Sequence, residues 1–183
     1  MRAATLAELA EHGFAGLTVE GVAARSGVHK TTVYRRWGTA AALAADALDI
    51  TSAEPWPLPD DGSLQSDLRA IGRQVVAGFT DPQGGPVARS LTTAALHDPE
   101  AGRALHAYLA TRHEQAAAVV DRAVARGEAP AGTDGVDVVR CAVAPLYYRL
   151  FVTGETVDEA LADRYADAAA TAALAGVFCQ EAS

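Results

Sequence analysis

Apolar positions along this chain recur every three or four residues, the spacing of a helical face, and no segment alternates convincingly as a strand would. The first stripe is Leu6, Leu9, Ala10 and Phe14. It predicts a helix over Arg2–His12, with Gly13 as its stop. Thr18 is placed to cap a short helix running through Arg25, and Glu20 lies in the first turn, where the helix dipole favours an acid. Gly27 breaks the chain. A third short helix is expected from His29 to Arg36, and a longer one over Thr39–Ala53.

The prolines of Glu54-Pro-Trp-Pro-Leu-Pro-Asp-Asp-Gly62 make a connection that no helix can cross. Ser63 then caps a helix with the stripe Leu64, Leu68, Ile71, Val75 and Phe79. Asp81-Pro-Gln-Gly-Gly-Pro86 reads as a turn, followed by a short helix to Leu96. Asp98-Pro99-Glu100 is a helix start: Asp as cap, Pro in the first helical position, Glu at the positive end of the dipole. That helix should run to Arg126 and stop at Gly127. After the loop Glu128–Gly135, two last helices are expected over Val136–Thr153, kinked at Pro145, and over Asp158–Gln180, with Gly154 between them. There is no internal repeat. The pattern is all-α: a three-helix head in residues 1–45 and a larger helical bundle in residues 46–183.

Composition agrees with a folded chain. Its 183 residues are half hydrophobic, enough to bury a core. There is no apolar run of the length a membrane helix needs, and the amino-terminal residues lack the pattern of a secretory signal. A cytoplasmic location is therefore expected. Cys141 and Cys179 fall in apolar helical contexts and read as unpaired thiols, mostly buried.

The net charge of −8 argues against a nucleic-acid partner until it is divided along the chain. Residues 1–45 carry five basic side chains against three acidic ones, a balance of +2, and the remainder carries ten against twenty, a balance of −10. A phosphate backbone needs local positive charge, not a basic whole. Lys30, Arg35 and Arg36 supply it within seven residues.

Those cations sit in a recognisable frame. A helix-turn-helix needs a small residue at the helix crossing, a glycine in the turn, and apolar residues that fix the crossing angle. Val22 and Ala23 precede Gly27, and Val28 and Val33 follow it. The helix after the turn would present His29, Lys30, Thr31, Thr32, Tyr34, Arg35 and Arg36 outward, groups suited to phosphates and base edges.

The stretch Gly13-Phe-Ala-Gly-Leu-Thr-Val-Glu-Gly-Val-Ala-Ala-Arg-Ser-Gly-Val-His-Lys-Thr-Thr-Val-Tyr-Arg-Arg-Trp37, followed by Ala41-Ala-Leu43, resembles the amino-terminal signature of the tetracycline-repressor (TetR) family of bacterial regulators. The resemblance implies a role for each matching residue. Thr18 caps the first helix of the motif and meets a phosphate. Lys30, Thr31 and Thr32 open the recognition helix. Tyr34 contacts a phosphate, Arg35 reaches backbone or base, and Trp37 seals the head against the next helix. Ala40 departs from the family pattern, since many relatives place a phosphate-touching Lys or Arg there. Few residues precede the first helix, so no basic arm is expected ahead of it.

Asp121-Arg-Ala-Val-Ala-Arg-Gly-Glu128 and Pro145-Leu-Tyr-Tyr-Arg-Leu-Phe-Val-Thr-Gly-Glu155 resemble one subgroup of TetR regulatory domains. The resemblance implies a repressor that binds a palindromic operator in double-stranded DNA as a homodimer and is released by a small-molecule effector. In such proteins the last two helices of each subunit pair. Here that points to Leu161, Tyr165, Ala168, Ala169, Ala172 and Phe178 as interface residues. An effector would lie among the middle helices, near Phe79, Tyr108, Arg112, Tyr147 and Phe151.

No cofactor, metal or enzymatic activity is expected. His106 and His113 stand seven apart on one helix, too far for two ligands of one ion, and there is no C-x-x-C pair, G-x-S-x-G elbow, Walker loop or G-x-G-x-x-G turn. A second reading keeps the helical body as a small-molecule-binding or interaction protein with weakened DNA binding. The acidic balance and Ala40 are what favour it.

Overall fold

The computed structural model describes residues 1–53, 56–82 and 84–179, and every regular element among them is helical. Glu54, Pro55 and Gln83 of the two expected connections lie outside the described residues, as does Gln180. The chain divides into two compact units, Met1–Pro55 with Gly78–Ala110, and Trp56–Ala77 with Thr111–Ser183.

The first unit holds α1 (Arg2–Gly16), α2 (Val19–Ser26), α3 (Lys30–Arg36), α4 (Ala40–Ala53), α6 (Gly84–Ala95) and the start of α7 (Pro99–Ala125). Helix α1 extends past His12, its expected end, but Gly13 does break it, with φ +65° inside the span. The N–H of Phe14 is caught there by Ser90 Oγ of α6 at 2.6 Å. Leu9, Leu17, Val22, Val33, Leu43 and Leu91 form the core of this unit. Trp37 and Ala40 pack partly buried against it, so residue 40 is part of the core's edge.

Helix α6 begins at Gly84, inside the expected turn. Asp81 Oδ2 accepts the N–H of Gly84 and serves as the cap. Pro86 is tolerated because it falls in the first turn, where no intrahelical donor is needed. Gly85 is a packing requirement, since a Cβ there would lie 2.6 Å from the carbonyl oxygen of Phe79. The start of α7 is as read from sequence: Asp98 Oδ1 accepts the N–H groups of Glu100 and Ala101 at 2.8 and 2.9 Å.

The second unit is built from most of α5 (Leu64–Thr80), the rest of α7, α8 (Gly135–Tyr148) and α9 (Glu159–Leu174). Leu64, Leu68 and Ile71 of α5 meet Val119, Val120, Val138, Val139 and the alanines of α9 in one core. Ser63 Oγ caps α5 by accepting the N–H of Ser66 at 3.2 Å.

Two sequence expectations change here. The helix expected to run to Thr153 is α-helical only to Tyr148 and widens into a π-helical turn over Arg149–Thr153, four residues past Pro145. Pro145 has no N–H to give the preceding turn, which weakens the ladder just before the widening. Gly154, at φ +69°, ends it. The last helix stops at Leu174, short of Gln180. Gly176 adopts φ +79° and turns the chain back, and the carbonyl of Phe178 accepts the N–H of Asp134 at 2.9 Å. A hydrogen bond to the start of α8 thus replaces further helix.

Candidate nucleic-acid interface

Helices α2 and α3 cross at Val22, Ala23 and Val33, all buried. Gly27 makes the turn between them in the left-handed conformation, φ +69°, which a side chain would resist. Thr18 Oγ1 accepts the N–H of Gly21 at 3.0 Å and caps α2. His29 caps α3, with Nδ1 accepting from the Thr31 N–H at 3.4 Å, a long bond. Val33 is the one buried residue of α3.

Everything else on α3 faces outward. Thr18, His29, Lys30, Thr31, Thr32, Tyr34, Arg35 and Arg36, the eight residues singled out from sequence, are all exposed. A single buried valine lets the remaining six residues of a seven-residue helix carry donors to the surface. The helix is held by α2 and capped at its start.

Two of these groups have partners that sequence did not reveal. The hydroxyl of Tyr34 donates to Glu20 Oε1 of α2 at 2.6 Å. That bond holds the Glu20 carboxyl below the ordinary range and pushes the Tyr34 phenol up. The guanidinium of Arg36 lies 4.7 Å from the centroid of Trp37, a cation–π distance. Behind the helix pair, Arg25 bonds Glu8 and Glu11 of α1. Glu20 and Tyr34 are 14 residues apart, a separation with no local signature, so their meeting depends on the helix crossing.

The expected effector residues divide between the units. Phe79 and Tyr108 belong to the first; Arg112, Tyr147 and Phe151 belong to the second. Within the second, Tyr147 and Phe151 stack with centroids 6.3 Å apart, and Arg112 lies 5.5 Å over the ring of Trp56. Trp56 was not singled out from sequence. Its Nε1–H donates to Gln74 Oε1 at 2.7 Å.

The expected interface residues also separate. Leu161 and Ala169 are taken up by the chain's own core, and Phe178 packs against that core from beyond the end of α9. The Tyr165 hydroxyl accepts a hydrogen bond from Arg149 Nε at 2.9 Å. Ala168 is exposed and Ala172 half-buried. Tyr148 and Val152 add large apolar groups to the surface, 56% and 70% exposed. Cys141, expected to be buried, is exposed on α8, and Cys179 is half-buried; neither forms a disulfide. Among the described residues no cluster of three or more His, Cys, Asp or Glu could hold a metal ion, and no helix is long and apolar enough to cross a membrane.

Comparison with known proteins gives one family. Residues 2–47 match the family model described as bacterial regulatory proteins, tetR family, and residues 58–169 match the tetracyclin repressor-like C-terminal domain. The chain is 33% identical over 169 residues to the DNA-binding transcriptional repressor TetR of Mycobacteroides abscessus, spanning 90% of this chain and 87% of that one. It is 26% identical over 151 residues to the HTH-type transcriptional regulator YdeS of Bacillus subtilis, spanning 82% of this chain and 76% of that protein. The crystal structure of the TetR family transcription regulator SCO0332 superposes with a TM-score of 0.69 at 33% identity, covering 96% of this chain and 97% of the other.

Proposed function

Since the chain belongs to the TetR family of DNA-binding transcriptional regulators, we propose that it is a cytoplasmic repressor that binds a palindromic operator as a homodimer and releases it when a small molecule occupies the helical body. The observation that carries the DNA reading is the outward set on α2 and α3: eight exposed polar or cationic groups around a single buried valine. Lys30 and Arg35 supply the charge that draws in a phosphate backbone, and Thr31 and Thr32 the hydroxyls that can reach base edges.

Dimerisation is assigned to the outer faces of α8, the π-helical turn that follows it and α9, through Tyr148, Val152, Ala168 and Ala172. Small residues permit close approach, and the larger apolar ones gain from burial. In the second unit, Arg112, Tyr147 and Phe151, with Trp56, are assigned to the effector, because a cation over one aromatic ring and a stacked aromatic pair are groups that suit a flat or anionic small molecule.

The test is binding to a duplex from the promoter region beside the protein's own gene, across a salt series. Wild type should bind tightly and lose affinity steeply with salt, and Tyr34→Ala with Arg35→Ala should lose at least tenfold, roughly the effect of two lost phosphate or base contacts. Binding no tighter than to a random duplex would overturn the operator reading and leave the helical body as the functional part.

A further inference from the structure

We propose that Glu20 sets an upper limit on this protein's affinity for DNA: in the unbound chain its carboxylate occupies the Tyr34 hydroxyl, the donor that a backbone phosphate would otherwise receive, and must give it up when DNA binds. This rests on the DNA-binding reading above. It identifies a residue of α2 that opposes binding from inside the interface.

The geometry is specific. Tyr34 is 45% exposed, so its hydroxyl is presented to solvent on the outward side of α3. The hydroxyl has one proton to donate, and at 2.6 Å it donates it to Glu20 Oε1. A carboxylate resembles a phosphate in what Tyr34 can sense, namely an anionic oxygen acceptor on a charge-assisted bond. Glu20 also lies two residues past Thr18, within the proposed contact surface, and it is itself exposed. A phosphate arriving at Tyr34 therefore meets two obstacles: the hydroxyl is already engaged, and a like charge stands beside it.

The Glu20 carboxylate also takes its own backbone N–H at the start of α2, a contact that does not require the Tyr34 hydroxyl, and packing does not place it there. Thr18 caps α2, and the buried residues of α2 are Val19, Val22 and Ala23. An acid near the helix start favours the dipole, but that role does not require the Tyr34 hydroxyl.

The variants Glu20→Gln and Glu20→Ala test the proposal, alone and combined with Tyr34→Phe, in duplex binding over a salt series with both the promoter duplex and a random one. Glutamine keeps a side-chain acceptor and removes the charge; alanine removes both. Both single variants should bind both duplexes tighter than wild type, by roughly three- to tenfold at low salt, because phosphate contacts are sequence-independent. In the Tyr34→Phe background the gain should shrink by at least half, since no hydroxyl remains to be released. A second readout needs no DNA: NMR titration of Tyr34 should show its ionisation moving down toward the ordinary tyrosine range in Glu20→Ala. Weaker binding by both variants would overturn the proposal and make Glu20 a positioning residue for Tyr34. Unchanged binding, or a gain of full size with Tyr34→Phe, would overturn it as well. Wild type binding no duplex at low salt would instead defeat the DNA-binding reading and this proposal with it, an outcome separate from wild type binding normally while the Glu20 variants gain nothing.

Discussion

Glu8 Oε1 accepts the Nε–H of Arg25 at 2.6 Å, a bond that crosses from α1 to α2. Arg25 also bonds Glu11 through both terminal nitrogens, so one guanidinium joins two carboxylates a helical turn apart. Glu8 can lie so close to α2 because residue 21 is glycine. A Cβ there would be 2.7 Å from Glu8 Oε2 and 3.0 Å from Thr18 Oγ1. The angle at which the head holds α2, and through it α3, thus depends on an ion pair and the absence of a methyl group.

Coupling between these two positions is the first prediction. Glu8→Ala should lower the thermal midpoint by roughly 2–4 °C, the equivalent of about 1 kcal/mol in a chain of this size. Gly21→Ala should destabilise wild type, where the methyl displaces the carboxylate. In the Glu8→Ala background only the 3.0 Å approach to Thr18 Oγ1 remains, so the same substitution should cost much less than in wild type, offset by the helix-propensity gain of Ala over Gly. Thermal melts of the four proteins complete a double-mutant cycle, and additive effects would show that Glu8 does not require Gly21.

Asp67 tests the second unit. It is fully buried, accepts the N–H of Asp61 at 2.7 Å, and stands 3.6 Å from Arg122, too far for a hydrogen bond. Arg122 also donates to the carbonyl of Pro59. The two side chains therefore hold the proline-rich connection against α5 and α7. Asp67→Ala should cost about 2–4 kcal/mol, since it removes a buried carboxylate that accepts the Asp61 N–H and is the counter-charge of a half-buried guanidinium. Limited proteolysis should then cut near residues 56–62. Resistance equal to wild type would show that the connection is held by other contacts.

Acid sensitivity follows from the pairs between α5 and α9. Arg73 donates to Asp163 at 2.8 and 2.6 Å, Arg69 to Asp167 at 2.7 Å through two nitrogens, and these bonds hold both carboxyls below the ordinary aspartate range. A carboxyl whose folded pKa is depressed contributes stability above its unfolded value, near pH 4, and loses it as pH falls through the folded value. Arg69→Gln with Arg73→Gln should lower the urea midpoint modestly at pH 7 and make no difference at about pH 2. A difference that persists at the acid end would point to packing by the arginine stems rather than charge.

If the proposed dimer forms through α9, neighbouring alanines on that helix should separate dimerisation from folding. Ala168 is exposed, and Ala169 is completely buried among the residues of α5, α7 and α8. Ala168→Arg should give a folded monomer in light scattering at micromolar concentration. Ala169→Arg should unfold the body, because a charged side chain cannot be accommodated in a packed core. A folded dimer with Ala168→Arg would place the interface elsewhere.

Much of this protein is written locally. Caps at Thr18, Ser63 and Asp98, breaks at Gly13, Gly27, Gly127 and Gly154, and the stripe Leu64, Leu68, Ile71 need only nearest neighbours along a helix to act, and each acts as its residue type predicts. The outward set of α3 was legible for the same reason: with Val33 turned inward, 3.6-residue periodicity decides where every other side chain points. The family signature in residues 13–37 carried the function, because the helix-turn-helix is compact enough to be specified by consecutive residues.

Tertiary structure decided what depends on distant segments meeting. The end of α9 at Leu174 is one case: alanines favour more helix, but a turn at Gly176 lets Phe178 bond Asp134 and pack on the core. Which α9 residues face inward is another, since Ala168 and Ala169 are chemically identical and only their surroundings tell them apart. The Glu20–Tyr34 bond is the third. Sequence determined that both residues sit on short helices around a glycine turn, through local propensity alone. Whether their side chains meet was set by the crossing of α2 and α3 over Val22, Ala23 and Val33, a packing geometry that no run of neighbouring residues encodes.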